Sequence, residues 1–121
     1  MLKEKTTVWD GYITMEPVGH EVIVTIGGDE IARSTNAIRL IEGGHSGLYY
    51  IPRADIDEIH LVPSSRTTHC KWKGDAQYLG YRKGDIQHSE ILWMYADALD
   101  EVAPLRDCVS FMPGLVDVRE V

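Results

Sequence analysis

Glycine and proline interrupt this chain so often that few stretches are long enough to form an ordinary helix. The 121 residues include 11 glycines and 5 prolines. The runs between them are short and rich in β-branched and aromatic residues, which is typical of strands bounded by turns. We therefore predict nine or so strands, within residues 21–26, 31–34, 37–41, 48–51, 59–62, 70–72, 76–82, 86–93, 108–111 and 115–118.

Turn residues indicate how the predicted strands are connected. The pair Gly28-Asp29 separates two adjacent strands and predicts a hairpin, and residues 83–85 predict another turn. The only helix-like stretch is 97–103, which Pro104 ends. The predicted fold class is mainly β: a compact antiparallel β domain with one or two short helices, in which residues 1–121 form a single domain.

Composition narrows the class of protein and of partner. Apolar residues make up 44% of the chain and charged residues 26%, which excludes a disordered or fibrous chain. Acidic residues outnumber basic ones 19 to 12, for a formal net charge of −7. Such a surface repels phosphate backbones, so we expect no long nucleic acid and no anionic membrane as a partner.

The cysteines and the hydropathy of the chain indicate its compartment. Two cysteines, Cys70 and Cys108, are too few for a disulfide-rich scaffold, and we interpret them as reduced thiols. No apolar run approaches the roughly 18 residues that span a bilayer. The first seven residues lack the apolar stretch of a secretion signal. We therefore expect a cytoplasmic protein.

The net charge is unevenly distributed along the chain. Residues 66–83 contain five basic residues and one acidic residue, a local charge of +4, whereas the rest of the chain carries −11. The same segment contains His69, Trp72, Tyr78 and Tyr81. A basic and aromatic patch in an acidic protein is typical of a site for a small anionic ligand. The alternative is a solvated strand face with lysines that protect a sheet edge.

Side-chain alternation sharpens this hypothesis for residues 67–74. If the segment is extended, His69, Lys71 and Lys73 share one face. Cys70 and Trp72 then share the other face, where they can be buried. The sequence thus predicts one cationic face and one apolar face.

A second notable string runs from Tyr49 to Arg53. Alternation puts Tyr49 and Arg53 on one side of a strand and Tyr50 on the other, and Pro52 marks a strand end. Arg53 could offer its planar fork to a phosphate or carboxylate. It could equally form a surface ion pair with the acidic residues that follow, Asp55 or Glu58.

Patterns for metal or nucleophile chemistry are weaker. Gly43-Gly44 followed by Asp55 and Asp57 fits a loose nucleotidyltransferase pattern, in which two carboxylates hold Mg²⁺. That arrangement needs a helix after the glycines, and residues 45–54 do not predict one. The five histidines have no zinc-site spacing, so no metal site is expected. Cys70 is interpreted as a small buried residue, with a Cys–His nucleophile as the alternative.

Two strings make the chain recognisable. Residues 49–56 (Tyr-Tyr-Ile-Pro-Arg-Ala-Asp-Ile) and 67–78 (Thr-Thr-His-Cys-Lys-Trp-Lys-Gly-Asp-Ala-Gln-Tyr) closely resemble the signature segments of domain-of-unknown-function family 427. The hairpin at 21–34, Glu42, the string 93–95 and the strand near 109–111 also follow the family order, so the likeness covers about 20–118.

The resemblance carries expectations about fold and activity. The family is also labelled nucleotidyltransferase-like, and it implies a compact β domain similar to the Mss4-like β-tent. Zinc and redox chemistry known from β-tent proteins depend on paired CxxC motifs, which this chain lacks, so neither is transferred. Lys71 and Ala96 stand where proline is common in the family.

The preferred hypothesis is a binding domain for a small anionic or nucleotide-like ligand. The predicted ligand-binding residues are Tyr50, Arg53, His69, Lys73 and Trp93. Arg53 and Lys73 would neutralise the anion, and an aromatic side chain would stack on a ring. The cofactor, the ligand and the oligomeric state are unknown at this level.

Two alternatives remain open. In the first, the chain is an enzyme acting on a nucleotide or phosphorylated metabolite by nucleotidyl transfer or hydrolysis. His69 is then the candidate catalytic acid–base beside Lys73 and an aspartate, and Mg²⁺ is implied only in this case. In the second, the chain is a non-catalytic protein-interaction domain.

Overall fold

The computed structural model describes residues 2–45 and 47–121. Within them, eleven strands alternate with turns and with two short 3-10 helices, Arg53–Asp55 and Asp100–Asp107. The strands are β1 (Thr6–Val8), β2 (Ile13–Pro17), β3 (Val22–Ile26), β4 (Asp29–Ser34), β5 (Ile38–Glu42), β6 (Leu48–Pro52), β7 (Leu61–Cys70), β8 (Gly74–Lys83), β9 (Ile86–Met94), β10 (Cys108–Phe111) and β11 (Asp117–Glu120). Neither helix in this part of the chain is long and apolar enough to cross a membrane.

The strands form two antiparallel sheets. The larger sheet has eight strands in the order β1-β2-β5-β6-β10-β9-β8-β7, and the smaller has the order β11-β3-β4. The predicted mainly β, antiparallel class is therefore confirmed. The predicted hairpin is β3–β4, with its turn one residue earlier than expected, at Gly27 and Gly28, which both have positive φ angles. The resemblance to a β-tent stays a prediction.

Strands β1 and β2 were not predicted. They are joined by a turn in which Trp9 and Asp10 both adopt left-handed φ angles of 56° and 53°. Non-glycine residues rarely adopt this conformation, so the turn has a weak sequence signal. The strand β1 is also only three residues long.

Two predictions in the second half of the chain were wrong in their bounds. β7 continues unbroken to Cys70, and the chain then turns, so the extended segment predicted for 67–74 ends at that residue. The predicted helix at 97–103 is instead the 3-10 segment Asp100–Asp107, which contains Pro104. The backbone kinks at Val102, so Pro104 lies near the start of a new turn, where its missing N–H costs little.

The larger sheet curls because its two ends contact each other. The indole Nε1 of Trp9, in the β1–β2 turn, donates a 2.9 Å hydrogen bond to the backbone oxygen of Trp72, in the β7–β8 turn. The ring of Tyr12 packs 4.9 Å from the Trp72 ring, centroid to centroid. Since β1 and β7 are the two edge strands, these contacts give the sheet a concave inner face.

Each face of the larger sheet contributes to a separate hydrophobic core. The outer face packs against the smaller sheet, and its buried residues include Ile51, Leu92 and Val109. The inner face has its own buried cluster, which includes Tyr50, Tyr95 and Cys108. The 3-10 segment Asp100–Asp107 covers part of the inner face with the buried Val102 and Leu105.

Glu120 fastens the last strand, β11, to the larger sheet. Its carboxylate accepts hydrogen bonds from the guanidinium of Arg39 and the hydroxyl of Tyr49, and His20 Nε2 lies 2.5 Å from it. The hydrogen bonds from Tyr49 and Arg39 lower the pKa of Glu120 to about 2. A carboxyl group with a lowered pKa stabilises the fold at pH values above its unfolded-state pKa.

We expect Glu120→Gln to destabilise the protein at pH 7 and to have little effect at pH 2. The stabilising contribution of Glu120 is complete above about pH 4.5 and is lost as the pH falls toward its folded pKa near 2. Urea unfolding of wild type and variant at several pH values measures the difference. Glu101→Gln, at an exposed glutamate, is the control. A wild-type-to-variant difference that does not change with pH would contradict this role.

Gly80 lies where the β8–β9 ladder shifts register. A Cβ atom at this position would lie 2.7 Å from the backbone oxygens of both His88 and Ser89. Real Cβ atoms do not approach backbone this closely, so a side chain here would force β8 and β9 apart. The irregularity between Leu79 and Tyr81 therefore depends on glycine.

We expect Gly80→Ala to lower the free energy of unfolding by about 2 kcal/mol, as overpacking against rigid backbone does. Gly47→Ala is the comparison variant, because the three atoms nearest to its new Cβ belong to the side chains of Arg39 and Ile41 and not to the backbone. Chemical denaturation of both variants provides the comparison. Equal stability losses in the two variants would show that close approach of the backbone at Gly80 is unimportant.

Candidate functional site

Polar side chains gather at one end of the inner face of the larger sheet. Strand register puts Tyr78 opposite Trp93, and Trp93 opposite Ser110, so these three share that face. Tyr50 belongs to the same inner cluster and is 1% exposed. The aromatic residues of β6, β8 and β9 thus surround a polar region inside the curled sheet.

Lys73 supplies a buried charge to this region. Its side chain is only 7% exposed, and its ammonium group forms an ion pair with Glu42, at the end of β5. The ammonium nitrogen also lies 5.7 Å from the centroid of the Tyr95 ring. Burying a lysine is costly unless it is paired, so Glu42 is needed to hold this charge inside the protein.

The β7–β8 turn is what directs Lys73 inward. The amide of Lys73 donates to the backbone oxygen of Cys70 at 3.3 Å, and Gly74 follows with a φ of 114°. The backbone oxygen of Lys73 accepts a 2.9 Å hydrogen bond from the amide of Leu99, which fixes the turn from outside the sheet. The side chain of Lys73 therefore does not follow the alternation of an extended strand that the sequence predicted.

Tyr50 forms the floor of the region. Its hydroxyl accepts a 3.2 Å hydrogen bond from Trp93 Nε1. Burial raises the pKa of Tyr50 far above its usual range, and the neighbouring Tyr95 and Glu42 act in the same direction. The phenol is therefore neutral and can still donate its own proton to an acceptor.

The remaining polar groups form the rim. Burial raises the pKa of Tyr95 as well, with Cys70 contributing through charge and hydrogen bonding. Thr68 Oγ1 and the hydroxyl of Tyr78 lie 3.0 Å apart. Thr68, Cys70, Tyr78, Trp93 and Glu42 are all half-buried, so water can reach this end of the inner face. We call Glu42, Tyr50, Lys73, Trp93 and Tyr95 the inner-face cluster.

The structure brings together three of the five predicted ligand-binding residues. Tyr50, Lys73 and Trp93 belong to the inner-face cluster, whereas Arg53 and His69 do not. Arg53 is exposed, pairs with Glu58 at 2.8 Å, and its guanidinium contacts the sulfur of Met94, which packs in the outer core. Trp93, next to Met94, faces the inner side, so Arg53 and Trp93 lie on opposite faces of the sheet.

His69 also lies apart from the cluster. Its imidazole is 71% exposed, and Nδ1 is 2.7 Å from a carboxylate oxygen of Asp75 on the neighbouring strand. Strand alternation explains this position, because the adjacent residues Thr68 and Cys70 face inward. The predicted common face for His69 and Lys73 was therefore wrong: the chain turns between them.

The local charge of +4 is neutralised in part, because two of its five basic residues form close ion pairs with acidic residues from distant parts of the chain. Lys73 pairs with Glu42, and Lys83 pairs with Asp29 at 2.5 Å. Arg66 has Glu90 3.7 Å away. A charge run along the sequence is therefore not a single cationic surface in the folded protein.

The residues of the nucleotidyltransferase pattern, Gly43-Gly44 with Asp55 and Asp57, do not lie on the elements that the pattern requires. Gly43 and Gly44 form a turn after β5, and the next element described is the strand β6, not a helix. Asp55 accepts a 2.5 Å hydrogen bond from Ser34, and Asp57 accepts one from the amide of Ile59. Over residues 2–45 and 47–121, no group of three or more His, Cys, Asp or Glu side chains could hold a metal ion.

Both cysteines are free thiols in the structure. Cys108 is buried in the inner-face core, and burial raises its pKa to about 12. Cys70 is half-buried at the rim, so its prediction as a small buried residue is only partly fulfilled.

Two members of the inner-face cluster were absent from the predicted site. Tyr95 could have been found by alternation, because it is two residues from Trp93 and so shares its face. Glu42 has a weaker signal, since a glutamate before Gly43-Gly44 is also typical of an exposed strand end. Nothing local indicates that Glu42 meets a lysine 31 residues later.

We expect Glu42→Gln to lower the free energy of unfolding by about 3 kcal/mol, because it leaves the buried Lys73 charge without its partner. Glu58→Gln makes the same change in the exposed pair with Arg53 and should cost under about 1 kcal/mol. Urea denaturation at pH 7 measures both. Similar losses in the two variants would mean that the Lys73–Glu42 pair is effectively solvated.

Comparison with known proteins identifies the family but no activity. No curated protein matches the chain. A sequence profile described as a domain of unknown function (DUF427) matches residues 14–121, which includes every member of the inner-face cluster. The chain therefore belongs to the DUF427 family, which also carries a nucleotidyltransferase-like label.

Proposed function

We propose that this protein binds a small anionic ligand with a planar ring at the inner-face cluster. The observation that carries the proposal is the buried ammonium of Lys73, paired with the half-buried Glu42 among aromatic side chains. Such a pair is expensive to bury and contributes little net stability, so a binding role accounts for it better than a structural one.

Lys73 is the proposed contact for the anionic group. A lysine ammonium has three N–H donors, and one of them is directed to Glu42. The others can reach an anionic oxygen, and a partly desolvated charge strengthens each such hydrogen bond. The neutral hydroxyl of Tyr50 is a further donor on the same face.

Aromatic side chains are the proposed contact for the ring. Trp93 and Tyr78 lie opposite each other on adjacent strands and are both half-buried, so part of each side chain is accessible. Stacking on such surfaces contributes about 1–3 kcal/mol per base in other proteins. A nucleoside monophosphate has both the ring and the charge that this arrangement suits.

Arg53 and His69 are not part of the proposed site. Arg53 contacts the opposite face of the sheet, and its charge is paired with Glu58. The acid–base role considered for His69 is likewise left out, because its imidazole is exposed and paired with Asp75.

Isothermal titration with AMP, adenosine and ribose 5-phosphate tests the proposal. We expect AMP to bind most tightly, because the other two each lack one of the two recognised features. Lys73→Met should weaken AMP binding by at least about tenfold, the loss expected for a charge-assisted hydrogen bond. Lys71→Met, which removes an exposed lysine two residues away, should leave the affinity unchanged.

Two results would overturn the proposal. One is the absence of binding by all three compounds at millimolar concentration. The other is equal weakening by Lys73→Met and Lys71→Met, which would indicate general charge attraction. If Lys73→Met does not fold, backbone amide NMR shifts of the wild-type protein on addition of AMP serve instead, and must include residues 73 and 93.

A further inference from the structure

A polar cleft of about 340 Å³ lies at the far end of β7, β8 and β9. Its lining residues include Ser64, Ser65, Arg66, Arg82, His88 and Ser89. Six of the ten lining residues carry a hydroxyl, imidazole or guanidinium group, and Glu90 is the one acidic residue among them. This composition differs from that of the inner-face cluster and includes none of its members.

Irregular strand pairing forms the cleft. The β7–β8 register shifts between Pro63 and Thr67, so the residues between them leave the regular ladder. The β8–β9 register shifts beside Gly80, whose missing Cβ lets the backbone of His88 and Ser89 approach. Bulges at a sheet edge commonly redirect side chains in this way.

The two arginines of the cleft are poorly neutralised. The guanidinium of Arg66 is 3.7 Å from Glu90, which is too long for a hydrogen bond, and it also lies 4.9 Å from the centre of the Tyr78 ring. Arg82 is exposed and forms no ion pair within the described part of the chain. Two arginines and a single acidic residue therefore line the cleft, in a protein whose net charge is −7.

We propose that this cleft is an anion site that takes a phosphate group. Arg82 supplies the planar fork that matches phosphate oxygens, and Arg66 supplies a second one. Ser64 and Ser89 also line the cleft, and their hydroxyls would donate to the remaining oxygens. The cleft adjoins the proposed ligand site, because Arg66 contacts the Tyr78 ring, but it includes no member of the inner-face cluster and does not depend on Lys73.

Titration with inorganic phosphate, followed by backbone amide NMR at low ionic strength, tests this site. We expect the largest shift changes at residues 64–66 and 88–89. Arg82→Gln should weaken binding by about tenfold or more, the loss expected for one charge-assisted contact. Arg119→Gln, at an exposed arginine of β11, is the matched control and should bind as wild type does.

Each of the following results would overturn the proposal of a phosphate site in the cleft. Equal weakening by Arg82→Gln and Arg119→Gln, or diffuse shift changes that equimolar chloride reproduces, would show non-specific charge attraction. Shift changes confined to residues near Lys73 would place phosphate at the inner-face cluster alone. Lys73→Met distinguishes the two sites, because it should leave phosphate binding in this cleft unchanged even if it abolishes AMP binding.

Discussion

The contact between the β1–β2 turn and the β7–β8 turn determines the shape of the protein. Trp72 receives the indole N–H of Trp9 on its backbone oxygen and the ring of Tyr12 on its side chain. These contacts join elements 63 residues apart and convert an eight-stranded sheet into a curled one. Because of this closure the inner face has a sheltered polar end, where Lys73, the residue after Trp72, lies buried.

The sequence predicts the strands better than it predicts the site. Gly and Pro spacing recovered β10 in full and β9 to within one residue, because turn chemistry and β-branched runs are local signals. The left-handed turn at Trp9 and Asp10 has no such signal, so β1 and β2 were missed. For Arg53 the sequence suggested either an anion contact or a surface ion pair with a nearby acidic residue. Its ion pair with Glu58 matches the second interpretation.

Charge clusters depend on contacts that a linear sequence does not record. Three of the five basic residues at 66–83 lie near acidic residues from separate strands: Glu42, Glu90 and Asp29. Alternation also failed beyond Cys70, since a three-residue turn reverses the expected direction of Lys73. The charges of the segment therefore separate into the pair of Lys73 with Glu42, a surface pair and a cleft with two arginines.

The neighbouring tyrosines of β6 have opposite tasks. Tyr49 points to the outer side and holds Glu120 of the last strand, whereas Tyr50 points inward and accepts the indole N–H of Trp93. Because strand faces alternate, sliding β6 by one residue would exchange the two phenols and break both contacts at once. The same shift in register would therefore cost one hydrogen bond on each side of the sheet. Together the two contacts favour a single register of β6 between β5 and β10.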